Sequence, residues 1–246
     1  MNDNQLLRYS RQIMLPQIEV SGQEKLARAT VLIAGLGGLG SPVAMYLAAA
    51  GIGHLILADF DQVDLSNLQR QIIHDTNQIG QTKIVSAQAR LKTLNPEVQT
   101  TLVQERLEND VLETQIKKVD VVVDCSDNFP TRFALNAICV QQKKPLVSGA
   151  AQRFSGQVSV FLPTAESPCY RCLYTDEEGE RETCTETGII APLGGIIGSI
   201  QALEVMKVIL NIGAVLNGKL LLLDALTMEW RTLKIRRDLA CPVCSS

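Results

Sequence analysis

The chain has 246 residues, a formal net charge of −3 and 46% hydrophobic residues. That suffices for a sizeable α/β core, and the mild acidity argues against nucleic acid as a partner. The opening stretch, MNDNQLLRYSRQ, is polar and does not read as a signal peptide, so seven cysteines point to a reducing, cytoplasmic setting rather than a disulfide scaffold.

Residues 1–29 read as polar helical turns, with Arg8 and Arg11 on a solvated face as the plain reading. An apolar run, Val31 to Ile33, then drops into a glycine turn, VLIAGLGGLGS, followed by a helix from Pro42 to Ala50. Gly35, Gly37 and Gly40 fit G-x-G-x-x-G, which supplies a tight turn, close backbone approach to a phosphate and a helix N-terminus aimed at the anion. His54–Asp59 is a second strand, and Asp59 stands where a ribose ligand is expected. The alternative is a bare structural turn, but strand, helix, second strand and acid are all in place.

Phe60–Gly80 has no clear periodicity and is long for a connection, which favours a functional loop; it carries Asp61, Asp64, Asn67, Arg70 and Gln71. Gln81–Leu94 has helical spacing and stops at Asn95-Pro96. Lys83 sits in its first turn, where the helix dipole disfavours a cation unless a polyanion lies nearby. Strands are expected over Val98–Val103, Val119–Asp124 and Pro145–Ser148, and helices over Asn109–Lys117 and Thr131–Gln142. Asp127 follows a strand end, where ligands bind in open α/β sheets, although an Asp there also serves as a helix cap. Gln157–Leu162, Leu220–Asp224 and Trp230–Ile235 fit antiparallel strands. Ile189–Leu210 is apolar but interrupted by Pro192, small residues, Glu204 and Lys207, so it reads as a buried helix and not a membrane span.

Cys169-Tyr-Arg-Cys172 and Cys241-Pro-Val-Cys244 are two C-x-x-C pairs matching a closed, four-thiolate structural Zn²⁺ site. A redox disulfide and an iron–sulfur cluster are the rivals. Cys125 and Cys139 read as core. Cys184 lies in a polar stretch as a candidate nucleophile, although Glu182 and Glu186 would raise its pKa.

With only two histidines, His54 and His74, a histidine-based triad is poorly supported. Attack of an ionised carboxylate on the α-phosphate of ATP needs no general base, and Arg11, Arg70, Lys83 and Asp127 suit its demand for positioning and charge neutralisation. An NAD-dependent oxidoreductase would use the glycine loop and Asp59 equally well, but not three cations and a second strand-end aspartate.

GLGGLGSP, DFDQVDLSNLQRQ, GQTK, DCSDN and the CYRC/CPVC pairs occur in an order that resembles the MoeB/ThiF family, bacterial relatives of ubiquitin-activating enzymes, from about Arg8 to Cys244. The resemblance implies an α/β fold with one large, largely parallel eight-stranded sheet. Residues 1–150 would form a Rossmann-like ATP-binding half, continuous with a mixed, antiparallel half (151–246) that carries the crossover loop (174–189) and the structural zinc. It also implies a homodimer that uses MgATP to adenylate the C-terminal carboxylate of a ubiquitin-like sulfur carrier ending in Gly-Gly. By position, Gly35, Gly37, Gly38 and Gly40 form the phosphate loop, and Asp59, with Asp61 beside it, falls at the ribose. Asn67, Arg70 and Lys83 fall on the phosphates and Asp127 on Mg²⁺. Arg11 matches an arginine that reaches the partner subunit's site, and Cys169, Cys172, Cys241 and Cys244 match the zinc ligands. Cys184 falls in the crossover loop, where thiamin-branch members carry a cysteine that can join covalently to the carrier. Ser148–Ala151, APLGG and DALTMEW look more like the molybdopterin branch, with a MoaD-like carrier, than the thiamin branch, with ThiS. No rhodanese extension follows Cys244, so sulfur is expected from a separate donor protein.

Overall fold

A computed structural model of the chain describes residues 1–107, 109–174 and 188–245. The strands are β1 (Thr30–Ala34), β2 (His54–Ala58), β3 (Gln99–Val103), β4 (Val121–Asp124), β5 (Leu146–Gln152), β6 (Ser155–Phe161), β7 (Lys219–Asp224) and β8 (Glu229–Lys234). They form one eight-stranded sheet in the order β3-β2-β1-β4-β5-β6-β7-β8. From β3 to β5 every pairing is parallel; from β5 to β8 every pairing is antiparallel.

Parallel strands are covered on both faces, which explains their unbroken apolar runs. Side chains alternate across a strand. Val31, Ile33, Leu55, Leu57, Val121 and Val123 therefore enter one core, and Leu32, Ala34, Ile56, Ala58 and Val122 the other. The first core is closed by α3 (Glu19–Arg28), α4 (Gly40–Ala49), α5 (Lys83–Leu94) and α9 (Ala191–Leu210). The second is closed by α6 (Asn109–Lys117), α7 (Phe129–Gln141) and the short α8 (Tyr170–Leu173). Two short helices, α1 (Asp3–Arg8) and α2 (Ser10–Ile13), precede them. Among the described residues α9 is the one helix long and apolar enough to cross a membrane, yet it packs on α3, α4, β4, β5 and β6 as a core helix.

Three elements differ from the sequence reading. The strand expected to end at Ser148 runs on to Gln152, because β5 leaves β4 after Ser148 and pairs antiparallel with β6 over its whole length. Gly149 looks like a strand breaker, but it makes room for the Gln201 side chain: a Cβ there would stand 2.3 Å from Gln201 Cδ. Helix α7 starts at Phe129, capped by Asn128, with Pro130 tolerated in its first turn. APLGG opens α9, the helix expected over Ile189–Leu210. Within Phe60–Gly80, Leu65–Asn67 and Thr76–Gln78 each form a single 3₁₀ turn closed by a capping box, from Asp64 and Asp75.

Candidate functional site

The strand order reverses at β1, which has β2 on one side and β4 on the other, and a cleft of about 450 Å³ opens at the carboxyl ends of these strands. That is the position at which open α/β sheets bind ligands. The glycine loop forms its floor. Gly35 has φ +94° and Gly40 lies so close to Gly35 that a Cβ would stand 1.9 Å from the Gly35 carbonyl oxygen, so both positions require glycine. Helix α4 follows with no side-chain cap, and Gly38 and Leu39 at its entry line the cleft.

The loop is clamped from several sides. Leu36 N donates to Asp59 Oδ2 at 2.7 Å, and Asp61 N donates to Asp59 Oδ1 at 2.9 Å. Asp59 thus ties the loop to the end of β2 while lining the cleft. Burial pushes its carboxyl above the ordinary carboxylate value, opposed by the neighbouring Lys83 cation and the two backbone donors. Helix α9 supports the loop from outside: a Cβ at Gly194 would stand 2.7 Å from Gly38 O, and one at Gly198 2.5 Å from Leu39 O.

Lys83 begins α5 with its side chain 8% exposed, and its Nζ meets Asp61 Oδ2 at 2.8 Å. A carboxylate, and not only a bound polyanion, therefore answers the unfavourable helix-dipole position. Arg70 lies over Gly38 and donates through Nη1 to Ser66 O at 3.1 Å. Asp127 is exposed on the opposite wall and does not cap α7, since Asn128 does. The turn carrying Asp127 is set by the buried Asp124, which accepts from Ser126 N, Ser126 Oγ and Ser148 Oγ, and by Arg132, which donates to Ser126 O at 2.8 Å.

Of the residues singled out in the sequence, Gly35, Gly37, Gly38, Asp59, Asp61, Arg70, Lys83 and Asp127 share this cleft. Gly40 sits just behind the loop. Asn67 closes the 3₁₀ turn that precedes Arg70, and Arg11 is exposed on α2; neither lines the cleft. Cys184 lies outside the described residues. Sequence reasoning missed the rim formed by Arg106 over the Phe60 ring, 4.2 Å from its centroid, and the positioning contacts of Arg132. The Arg106–Phe60 pair is joined only by the fold, and the Arg132–Ser126 contact, six residues apart, follows no recognised spacing.

The two cysteine pairs meet on the far side of α7. Sγ separations are 3.7 Å for Cys169–Cys241, 3.5 Å for Cys172–Cys244 and 4.0 Å for Cys169–Cys172, with all four sulfurs within 4.8 Å of one another. Tetrahedral Zn–S bonds of about 2.3 Å place sulfurs about 3.8 Å apart, so the cluster fits Zn²⁺. Asp238 N donates to Cys172 Sγ at 3.4 Å and Asn136 Nδ2 to Cys169 Sγ at 3.6 Å, as thiolate ligands require.

A mixed sheet with a glycine loop at the reversal point of its parallel half, a cleft where Arg70, Lys83, Arg106 and Arg132 face Asp59, Asp61, Glu105 and Asp127, and a cluster of four cysteines that suits zinc define an α/β protein of the nucleotide-binding kind. The chain belongs to the ThiF family, whose model matches residues 9–243. The sulfur carrier protein ThiS adenylyltransferase of Escherichia coli strain K12 is 46% identical over 244 residues, 99% of this chain and 97% of that protein. The molybdopterin-synthase adenylyltransferase of Salmonella typhimurium is 45% identical over 244 residues, again 99% of this chain and 98% of the relative. Among solved structures, E. coli MccB with succinimide superposes with a TM-score of 0.85 at 23% identity, covering 99% of this chain and 74% of that one. MccB with ATP gives 0.83 at 23% identity, covering 99% and 75%. The MccB likeness bears on the fold alone.

Proposed function

We propose that the chain adenylates the C-terminal glycine carboxylate of a ubiquitin-like sulfur-carrier protein with ATP, releasing pyrophosphate. The observation that carries this reading is the convergence of Arg70, Lys83 and Asp127 on one glycine loop, in a chain alike over nearly its full length to adenylyltransferases of two carriers. The incoming carboxylate is already ionised at neutral pH, so the site needs no general base. Its oxygen bonds to the α-phosphorus while the bond to the bridging oxygen breaks, and pyrophosphate leaves with the electron pair. Lys83 and Arg70 neutralise the charge that develops on the phosphates, and the loop amides orient them. Asp127 would hold Mg²⁺, which supplies Lewis-acid polarisation of the phosphate oxygens. The histidines agree: His54 stands at the start of β2, away from the cleft, bonded to Thr101 Oγ1 at 2.8 Å, and His74 is buried.

Residues 1–246 act as one unit in this reading, with the nucleotide on 1–150, the carrier on 151–246, and zinc as a staple. A cytoplasmic location suits reduced cysteines. Sulfur would come from a separate donor protein. ThiS and molybdopterin-synthase relatives match at nearly the same identity. We take a MoaD-like carrier as the first to test, on Ser148–Ala151 and DALTMEW, and ThiS as the second. Carrier-dependent ATP–pyrophosphate exchange tests the reading: incorporation with one of the two Gly-Gly-ended carriers is expected. ATP binding with no exchange for either would sink it.

Exposed Leu7 (76%) and Met14 (70%), with Leu15 and Val20, support a second copy covering the N-terminal helices. Arg11 would then serve the partner's cleft. Mixing Arg11→Ala with Asp127→Ala subunits, each inactive alone, is expected to restore about one working cleft per mixed dimer. No recovery of exchange removes the trans role.

A further inference from the structure

The reaction proposed above makes no use of His74, yet it is 7% exposed directly beneath the glycine loop. Its Nε2 faces Leu36 O at 3.1 Å and its Nδ1 faces Ser86 Oγ at 2.6 Å. A carbonyl oxygen only accepts, so Nε2 must carry the proton in that contact. Ser86, on α5, contacts the ring from the other side; with the proton on Nε2, Nδ1 accepts, and the one Ser86 Oγ–H serves either Nδ1 or Gln78 Oε1, 2.7 Å away. Burial holds the ring below its ordinary pKa, opposed by the Leu36 contact and aided by the Lys83 charge, so the neutral form is favoured, and the Leu36 carbonyl places its proton on Nε2.

Peptide planarity gives this contact a consequence. The Leu36 carbonyl and the Gly37 N–H belong to one trans peptide unit and point in opposite directions. With the carbonyl drawn down onto His74, the Gly37 N–H is turned upward toward the cleft that Gly37 lines. Among the described residues Gly37 N has no partner within the chain, whereas Leu36 N is taken by Asp59 and the Gly37 carbonyl by Ser41 N and Oγ. Gly37 N is left over together with Gly38 N, Leu39 N and Gly40 N at the helix entry, and among these its direction is set from below by His74.

We propose that His74 is a positioning residue for the phosphates: its Nε2–H holds the Leu36 carbonyl and so aims the Gly37 N–H at an anionic oxygen of the nucleotide. The proposal rests on the ATP reading of the cleft. It assigns His74 no proton transfer and no contact with substrate. Glutamine carries an amide N–H at about the reach of Nε2 and retains the function; leucine keeps bulk and loses the donor.

The test is equilibrium binding of ATP, with adenosine measured by competition, to wild type, His74→Leu, His74→Gln and Ser86→Ala, together with the KM for ATP and for the carrier in exchange. His74→Leu is expected to weaken ATP about tenfold, as for one lost hydrogen bond to a charged group, and to leave adenosine affinity and carrier KM unchanged. His74→Gln stays within about threefold of wild type for ATP, and Ser86→Ala, which frees the ring, falls between the two. Unchanged ATP affinity in His74→Leu, an equal loss for adenosine, or an equal loss in the glutamine variant each overturns the proposal. If the leucine variant does not fold, glutamine and Ser86→Ala carry the comparison, and a glutamine variant weakened tenfold for ATP rejects the role. Wild type that binds no ATP defeats the underlying reading instead, a result separate from any difference among variants.

Discussion

Replacing Lys83 or Asp127 by alanine is expected to lower carrier-dependent pyrophosphate exchange about a thousandfold, the scale seen when one preorganised charge-stabilising group is removed. That factor corresponds to about 4 kcal/mol of transition-state stabilisation. For Lys83 the argument is geometric. Its ammonium is nearly sealed from solvent, fixed by Asp61 and set at the first turn of α5, so its position is established before any phosphate arrives. Asp127 stands across the cleft on a turn locked by Asp124 and Arg132, and its carboxylate is free of any capping duty. Loss at either position should leave circular dichroism and metal content as in wild type. Lys83→Ala carries one further consequence: Asp61 loses its cation and Asp59 its nearest opposing charge, so ATP affinity falls as well as turnover. Exchange within tenfold of wild type in either folded variant would remove that residue from the machinery.

Metal removal gives the second large effect. The knot joins α8 to the last described residues and closes a loop of about 70 residues between Cys172 and Cys241, a cross-link whose chain-entropy contribution is about 4 kcal/mol. At two to four degrees per kcal/mol for a chain of this length, Cys241→Ser or exhaustive chelation is expected to lower the melting temperature by about 10 °C. Atomic emission should report about one zinc per wild-type chain and almost none in the variant. The effect should extend to the cleft, because α7 carries both Asn136, bonded to Cys169 Sγ and to Tyr170 N, and Arg132, which sets the Ser126–Asp127 turn. A chain purified without zinc that melts at the same temperature as the metal-loaded one would end the staple argument.

Local patterns carried most of the fold into view. The βαβ unit, the glycine loop and the paired cysteines are each written within about thirty residues or in a repeated spacing, so the sequence exposes them directly. What stayed hidden was set by partners distant in the chain. Gly149 reads as a strand end until Gln201, from α9, fills the space beside it. Lys83 looked like a misplaced surface charge, because nothing local announces that Asp61 lies 2.8 Å away. The capping boxes at Asp64 and Asp75 are short enough to pass for irregular loop, since neither 3₁₀ turn buries a residue. His74 gave no signal at all, for its meaning depends on a carbonyl 38 positions earlier.

The contact of Gly194 and Gly198 with Gly38 and Leu39 brings two stretches of backbone together without side chains between them. Such a joint has almost no compliance, so the glycine loop borrows the rigidity of a twenty-residue helix. Its conformational entropy is surrendered when the protein folds, and little remains to be lost when a nucleotide binds. Amide exchange at Gly35, Leu36 and Ser41, whose N–H groups are bonded within the chain, should therefore be slow without nucleotide and change little with it, while the Gly37 amide is slowed when nucleotide binds.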